Sequence, residues 1–543
     1  MWLVAVVLLV FNSLLAEQLP WWSNAVYYRI LVDSFKDSDG DGLGDVQGAI
    51  KQLSYVRALG ADAVVLSPIF AKSTDCASPG TVDFTDIDAR YGTLSQFNKL
   101  VEKAKKLDLK LLITLPLQTI SSSSELFNFS AERRPGYEDK LVWRDGKEDK
   151  PPAAEEGVDQ WIWHEERAAY FGITTNNEAL LNLCSDALIA MFSDVQCSWL
   201  KRGLAGVVLN PDFVLDYNCG VQLVKKLTTA AVGCARNANM DPPIILVETA
   251  LGPDIGAKYY GEGSPGANNV ISYALAATQR RAAPNLGLDL HASMLYPPQD
   301  MAPTWTTSIT NQSRIATRYG NEMVDAILLL ALTLPGAALI QQGDELGAAD
   351  TILEWADSTQ CWPTQRHASA APFPWDDTPT ASFTSGKPWL PLATNYRYAN
   401  AKTEYANDLS HVGVMRVAAA MRKSPAMGPH VEINRFGDAL SVLRWGGAGT
   451  LLVVTNLGPG QTEVYLSRIP GLPQEMTVAA SSGGSSLSPE SHVNLDKPLK
   501  LAAGESALLA GPSRHCGGPG PVDKITNKLS EGWQKINKYF GNL

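Results

Sequence analysis

The feature of this chain that most restricts its fold is an alternation of short apolar runs with helical patterns, from residue 25 to residue 341. The apolar runs predict strands at residues 25–32, 61–66, 110–115, 206–209, 244–247, 269–273 and 338–341. The patterns between them predict helices at residues 46–59, 95–107, 185–201, 220–235 and 320–334. Repeated βα units give a parallel sheet covered by helices, and eight such units close a barrel. A doubly wound sheet has the same periodicity, so the pattern alone leaves both architectures open.

Two parts of the chain depart from this alternation. Residues 117–175 are rich in Ser, Pro and charged side chains. Residues 411–422 predict a helix, and β-rich runs broken by Gly and Pro follow at residues 439–445, 451–455, 463–466, 476–480 and 506–509. Short strands separated by turn residues are typical of an antiparallel sheet. The sequence therefore predicts a small C-terminal β domain over residues 411–512.

The last segment, residues 513–543, begins with a Gly/Pro-rich linker and continues as an amphipathic pattern. Its apolar residues fall on one helical face, at Val522, Ile525, Leu529, Trp533, Ile536 and Phe540. Such a helix either packs back on its own domain or docks on a protein partner or a membrane surface. The sequence leaves these alternatives open.

The N-terminus predicts a secreted protein. Residues 1–16 read MWLVAVVLLVFNSLLA and end in the small residue Ala16. This stretch is shorter than the roughly 20 apolar residues that span a bilayer. A cleaved secretory signal fits it best, and an uncleaved signal anchor is the alternative. The net charge of −11 argues against nucleic acid as a partner, because the chain and a phosphate backbone repel each other.

Cysteine and sequon positions agree with secretion. None of the seven cysteines forms a C-x-x-C pair, which argues against a zinc or redox site. Most cysteines of a secreted chain should be paired, although the pairing cannot be deduced from sequence. Seven is odd, so one thiol is free or bonded to another chain, and Cys516 in the Gly/Pro linker is the candidate. Two N-x-S/T sequons predict glycosylation at Asn128 and Asn311.

Several motifs carry a family resemblance. The segments PWWSNAVYY at residues 20–28 and DSFKDSDGDGLGD at 33–45 resemble the opening of α-glucosidases of glycoside hydrolase family 13, especially the insect maltase branch. Further likeness lies in LGADAVVLSP at 59–68, RPGYED at 134–139, WHEER at 163–167, QGDELG at 342–347, PFPWD at 372–376 and WLP at 389–391. The resemblance covers residues 20 to 510. It implies a (β/α)8 barrel over residues 20–410, a subdomain inserted after the third strand at 117–175, and a C-terminal β domain.

An acidic loop near the N-terminus predicts a cation site. Asp37, Asp39, Asp41 and Asp45 alternate with small residues. Several carboxylates converging on one loop suit a hard cation, and Ca²⁺ is the natural one. The twelfth position is Gly48 and not Glu, so the loop is not an EF-hand. A similar first-loop calcium site occurs in the family, and a solvated acidic turn is the alternative.

The chemistry of the family needs two carboxyl groups at the anomeric carbon. One attacks as a nucleophile, and the other protonates the leaving oxygen and then activates water. In the family the nucleophile Asp ends the fourth strand, an Arg lies two residues before it, and the acid Glu follows the fifth strand. A third carboxylate after the seventh strand holds sugar hydroxyls.

Most of these groups are absent at the matching positions of this chain. Asn210 falls on the nucleophile, Val208 on the Arg and Asn311 on the third carboxylate, whereas Glu248 keeps the acid position. Other substituted positions are Ile309 and Thr310 before Asn311, Gln118 and Thr119 in place of Asn-His, and Ser78-Pro-Gly80 in place of Gly-Tyr-Asp. An amide has the shape of a carboxylate without its charge, so it cannot form the glycosyl ester at a useful rate.

These substitutions predict loss of hydrolysis. Removing a nucleophile alone costs roughly 10⁴–10⁶ in rate in other hydrolases. Glu248 without a partner is interpreted as a retained structural residue. Asp212 is the alternative nucleophile, two residues beyond Asn210, although Pro211 bends the path to it. A glycan on Asn311, at the rim of the barrel mouth, would occupy the cleft that a substrate must enter.

Three functions follow as hypotheses. The first is a secreted, catalytically silent maltase-like protein with a binding, assembly or storage role. The second is an active or weakly active α-glucosidase acting on α-1,4-linked oligosaccharides or sucrose. The third is the ectodomain of a transporter heavy chain, which the short apolar start and the lack of a cysteine before Cys76 disfavour. A carbohydrate ligand is doubtful because Val208, Pro79 and Ile309 make the predicted mouth apolar, and an unidentified protein partner is expected through Cys516 and helix 522–543.

Overall fold

We analysed a computed structural model of the chain, which describes residues 20–148, 150–212, 215–261, 265–276, 283–356 and 367–514. The predicted signal at residues 1–16, Cys516 and the predicted helix at 522–543 lie outside the described residues.

Eight parallel strands form a closed barrel. They are β1 (Val26–Ile30), β2 (Ala63–Leu66), β3 (Lys110–Leu115), β4 (Gly206–Leu209), β5 (Ile244–Glu248), β6 (Asn269–Ser272), β7 (Thr304–Thr306) and β8 (Ala337–Gln341). Each strand lies beside its neighbours in the chain, and β1 closes on β8 with Val26 opposite Ala338. The predicted (β/α)8 barrel is confirmed, and closure excludes the doubly wound alternative.

The interior of the barrel is filled by side chains from alternate positions of the strands. Residues of one parity point inward and make a dry core that includes Tyr27, Val65, Leu246 and Leu339. Because side chains alternate along a strand, Arg29 on β1 lies on the same inward face as Tyr27, nearer the carboxyl end. The charged side chain of Arg29 therefore lies inside the barrel, near the carboxyl ends of the strands.

Helices cover the outside of the barrel. The longer ones are α1 (Val46–Ala58), α2 (Leu94–Lys106), α3 (Asp186–Lys201), α4 (Tyr217–Asn237), α5 (Ala283–Leu295), α6 (Val324–Thr333) and α7 (His411–Arg422). Shorter helices are Val32–Phe35, Glu125–Ala131, Pro253–Gly256, Ile315–Tyr319 and Ala401–Tyr405. Single 3₁₀ turns are Trp21–Asn24, Ala257–Tyr259, Ala274–Ala276, Asn321–Met323, Asp344–Leu346, Leu353–Trp355, Ala368–Ala370 and Leu466–Arg468.

The predicted helix at residues 320–334 is wrong over its first part. Gly320 has a φ of 94°, a conformation that ends the helix Ile315–Tyr319. A 3₁₀ turn follows, and α6 begins only at Val324. Every residue of α6 is buried, because the helix lies between the barrel and α7.

The segment after β3 forms a small antiparallel sheet. Its strands are Thr119–Ile120, Trp143–Asp145, Gln160–His164, Ala169–Ile173 and Ala179–Leu180. This sheet occupies the place of the predicted inserted subdomain. A separate pair, Phe70–Lys72 with Thr81–Ile87, lies in the loop after β2.

The C-terminal part is an antiparallel sheet. Its strands are β9 (His430–Phe436), β10 (Ala439–Trp445), β11 (Thr450–Asn456), β12 (Glu475–Ser481), β13 (His492–Asn494) and β14 (Ser506–Gly511), in the order β9-β10-β11-β14-β12-β13. A second pair joins Thr462–Val464 to Leu499–Leu501. One face of the sheet joins the core of the barrel helices, and the other encloses a core of its own. The predicted β domain is confirmed, although β9 was missed because its sequence, HVEINRF, is that of a half-exposed edge strand.

Two disulfides link α4 to α3 and to the segment just before α3. Cys184 pairs with Cys219, and Cys197 pairs with Cys234. Cys76 is also disulfide-bonded. A search of the described residues found no helix whose length and hydrophobicity would let it traverse a bilayer.

Candidate functional site

The carboxyl ends of the barrel strands bring the predicted catalytic positions together. Asn210 directly follows β4, Glu248 ends β5, and Arg29 lies near the end of β1. In a (β/α)8 barrel this end carries the functional side chains. The fold therefore brings Asn210, Glu248 and Arg29 to the same end of the barrel, and Arg29 was not part of the sequence interpretation.

Glu248 is held in a buried ion pair. Its Oε1 lies 2.9 Å from Nη2 of Arg29, and the two side chains are 11% and 4% exposed. Nη1 of the same guanidinium donates to Oγ1 of Thr310 at 3.2 Å. Arg29 thus bridges Glu248 at the end of the fifth strand and Thr310 after the seventh.

Tyr273 also contacts Glu248. Burial raises the pKa of Tyr273 far above its usual range, and the charge of Glu248 and a hydrogen bond to it act in the same direction. The hydroxyl therefore stays protonated and donates to the carboxylate. Glu248 is engaged by a cation and by a neutral donor.

Asn210 is bound to a second neutral side chain. Nε2 of Gln118 donates to Oδ1 of Asn210 at 2.9 Å and to the carbonyl oxygen of Asp212 at 2.8 Å. Val208, at the position of the family Arg, is fully buried in the barrel core. The end of β4 therefore carries an amide pair and an apolar side chain where hydrolysis needs an anion and a cation.

The side chain of Asp212 connects the loop after β4 to the loop after β5 through hydrogen bonds. One oxygen accepts from Oγ1 of Thr249 at 2.6 Å, and the other accepts from the backbone amide of Ala250 at 2.7 Å. Burial raises its pKa, with these hydrogen bonds opposing and Glu248 adding repulsion. Both oxygens of the alternative nucleophile are therefore engaged in joining the loops after β4 and β5.

Asn311 is exposed in a turn after β7. Its neighbour Thr310 contacts Arg29, so the sequon lies at the rim of the barrel mouth. Asn128 is also exposed, on the helix Glu125–Ala131. The two predicted glycosylation sites both reach solvent.

The acidic loop brings three of its four carboxylates together. Oxygens of Asp37, Asp39 and Asp45 lie within 4.8 Å of one another, whereas Asp41 lies outside this group. Asp37 accepts from the backbone amides of Asp39, Gly40 and Gly42 and from Oγ1 of Thr384. Burial acts to raise the pKa of Asp37, but these donors outweigh it and lower that pKa.

A cavity of about 300 Å³ lies beside the mouth. It is lined by the loop after β5, by β6 and by α5, including Leu251, Tyr260, Ile271, Ala292 and Pro297. Among the described residues, neither Glu248 nor Asn210 lines it. Thr249 and Tyr273 do line it, so the cavity adjoins Glu248 without including its side chain.

Arg29 is the site residue that sequence reasoning missed. A signal was present, because it is the single charge in the run AVYYRILV and shares the parity of the inward-facing Tyr27. Its partner was hidden, since Glu248 lies far along the chain and only barrel closure brings the two together.

Comparison with known proteins shows the family to which this chain belongs. The family described as "Alpha amylase, catalytic domain" matches residues 29–216 and 272–428, which is more than half of the chain. The chain belongs to the alpha-amylase family. Its matched segments contain β2, β3, β4, β7 and β8, whereas β5 lies between them.

Relatives of this alpha-amylase family member are maltases and α-glucosidases. Maltase 1 of Drosophila virilis is 29% identical over 525 residues, covering 86% of this chain and 83% of the relative. The salivary α-glucosidase of Anopheles gambiae is 26% identical over 531 residues, covering 86% and 89%. The crystal structure of the α-glucosyl transfer enzyme XgtA is 25% identical with a TM-score of 0.75, covering 91% of this chain and 100% of that one. The chain is thus a maltase-like and α-glucosidase-like member of the alpha-amylase family.

Proposed function

We propose that this chain is a catalytically silent, secreted member of the maltase branch, with a binding, assembly or storage role. The observation that carries the proposal is the buried pair of Arg29 and Glu248, next to a neutral Asn210. A retaining mechanism needs an attacking carboxylate and a protonated acid that faces the substrate. Here the first is an amide, and the second is tied to a guanidinium.

Charge at the barrel mouth supports this proposal over an active enzyme. The relatives carry the names of active hydrolases, so the fold itself does not distinguish the two functions. Asp212 is the acidic group nearest in sequence to Asn210, and both of its oxygens bind loop donors. No comparable observation favours the transporter heavy chain.

The test is direct assay of the purified chain with maltose, sucrose and a chromogenic α-glucoside, beside Maltase 1 of Drosophila virilis. We expect no glucose release above the rate without protein. The matched variants are Glu248→Gln and Asp212→Asn. Turnover by the wild-type chain that either variant abolishes would establish the active α-glucosidase instead.

Secretion is part of the same proposal. It is supported by the apolar residues 1–16, by the disulfides and by the salivary α-glucosidases among the relatives. Mass spectrometry of the native protein should find a new N-terminus after residue 16 and glycans on Asn128 and Asn311. An Asn311 without a glycan would contradict the hypothesis that a glycan blocks the mouth.

Cys516 is the residue proposed to form a disulfide with a partner chain. Non-reducing electrophoresis of the native secretion tests that bond.

A calcium ion at the acidic loop is proposed with Asp37, Asp39 and Asp45 as its ligands. Three carboxylates whose oxygens lie within 4.8 Å of one another suit a hard cation that neutralises their repulsion. The proposed role of the cation is structural, because it would join three carboxylates of one turn. Calcium should raise the melting temperature of the wild-type chain and leave Asp39→Asn unchanged. An equal response of both would argue against the site.

A further inference from the structure

Helix α5 carries an exposed apolar surface. Leu288 and Leu295 are 68% and 76% exposed, and Tyr296 directly after the helix is 48% exposed. The opposite side of α5 is already buried through Leu286 and Leu290. The helix therefore presents large apolar groups on two sides, and the outer side lacks a cover among the described residues. We call Leu288, Leu295 and Tyr296 the outer face of α5.

The outer face adjoins the 300 Å³ cavity. Ala292 and Ser293 of α5 and Pro297 beyond it line the cavity, together with Leu251 and Tyr260 from the loop after β5. Ala292 lies one turn from both Leu288 and Leu295, so the face and the cavity form one continuous surface. A helix that packs on this face could insert one bulky aromatic side chain into the cavity, as anchors do at well-packed interfaces.

The described part of the chain ends on the two strands that pack against the buried side of α5. Nη1 of Arg514 lies 2.6 Å from Oε2 of Glu432 on β9, and its guanidinium stacks on Trp445 of β10 at 5.1 Å. Helix α5 packs against β9 and β10, and Gly287 faces Leu440 there. The last described residue, Arg514, therefore lies on the two strands that also contact α5.

The sequence of the remaining segment fits the surface. Its apolar residues at 522, 525, 529, 533, 536 and 540 share one helical face, and its four lysines lie on the other. From residue 514 to residue 522 an extended chain reaches up to about 27 Å. The four lysines and two acidic residues give residues 522–543 a positive charge, while the whole chain carries −11.

We propose that residues 522–543 dock as an amphipathic helix on the outer face of α5, with Trp533 inserted in the cavity. Trp533 is the largest apolar residue of the segment and lies at its centre, where an anchor contributes most. The helix covers the one side of α5 that the described chain leaves exposed and turns its lysines to solvent.

A photo-crosslinker in the full chain tests this docking. A photoreactive phenylalanine at position 533 should form crosslinks within one chain to the peptide containing residues 288–297, identified by mass spectrometry of the monomer fraction. The same probe at position 535, on the lysine face, should give at least fivefold less of this product. Leu288→Glu combined with Leu295→Glu should abolish it, whereas Leu409→Glu, a matched change at an exposed leucine outside α5, should not.

Hydrogen exchange supplies the second readout. In the full chain, α5 should be better protected than in a chain that ends at residue 514, and Trp533→Ala should reproduce the loss. Equal exchange in the two chains would overturn the proposal, as would crosslinks from position 533 only to a second chain. Flotation of the full chain, but not of the shortened one, with vesicles containing phosphatidylserine would assign the segment to a membrane surface instead.

Discussion

At the end of β4, one atom separates the side chain of Asn210 from a nucleophile. Asn and Asp have the same shape, but Gln118 donates an amide hydrogen to Asn210, and the buried Val208 supplies no positive charge. Arg29 then gives Glu248 the positive partner that a substrate would have to displace. The proposed loss of hydrolysis thus rests on the charge of these side chains and not on their shape.

Removal of Arg29 should destabilise the protein strongly. In Arg29→Met the Glu248 carboxylate stays buried without its cation, which costs about 3–5 kcal/mol. Chemical denaturation measures the change in the free energy of unfolding. Arg57→Met, which breaks the exposed pair with Asp108, should cost less than about 1 kcal/mol.

A double variant distinguishes two causes of the destabilisation, which are an unpaired buried charge and the loss of packing. Arg29→Met with Glu248→Met removes both charges and should recover most of the stability. A double variant that is as unstable as Arg29→Met would show that the ion pair is not the cause.

Restoration of the nucleophile alone should not restore hydrolysis. Asn210→Asp adds a carboxylate, but Glu248 remains paired with Arg29 and Val208 offers no positive charge. We expect no release of glucose from maltose above the wild-type chain. A rise of tenfold or more would mean that Arg29 does not block the acid.

At the scale of elements, the turn after β8 connects two parts of the barrel. Oε1 of Glu345 accepts from the hydroxyls of Tyr28 on β1 at 2.7 Å and Tyr55 on α1 at 3.0 Å, and Oε2 accepts from the amide of Gly343. Burial raises the pKa of Glu345 from 4.5 to about 7, with the tyrosine hydrogen bonds opposing it. One buried carboxyl therefore joins β1, α1 and β8.

Glu345 should make stability fall as pH rises. Its pKa is raised in the folded state, so its contribution is complete below pH 4.5 and is lost as pH approaches about 7. The shift corresponds to a loss on the order of 3 kcal/mol. Relative to the wild-type chain, Glu345→Gln should gain that amount between pH 4.5 and 7.5 in denaturation experiments. Glu463→Gln, at an exposed position, should keep the wild-type dependence.

At the scale of the whole molecule, the barrel and the C-terminal sheet share one core. Leu440, Val453 and Leu508 of the sheet belong to the same apolar cluster as the buried residues of α6. Nη1 of Arg444 on β10 donates to the carbonyl of Thr333 at the end of α6. The sheet thus caps the barrel and adds to its core.

We expect the two parts to unfold together. Calorimetry of the wild-type chain should give one transition, because a continuous core makes folding cooperative. Arg444→Met should lower the melting temperature and speed hydrogen exchange in β9 and β10, since the carbonyls of Thr333 and Gly428 lose their donor. Arg435→Met, at an exposed position on β9, should leave both unchanged. Two separate transitions in the wild-type chain would contradict the shared core.

The sequence by itself determined the alternation of strands and helices, the inserted segment, the C-terminal sheet and the positions of Asn210 and Glu248. These features depend on local periodicity and on motifs, which are readable without long-range contacts. The helix boundary at Gly320 was missed because a single positive φ overrode an apolar pattern. Only the tertiary structure decided that Arg29 pairs with Glu248 and that Asp212 ties two loops. Such pairings depend on barrel closure, which brings side chains from distant strands into one low-dielectric space.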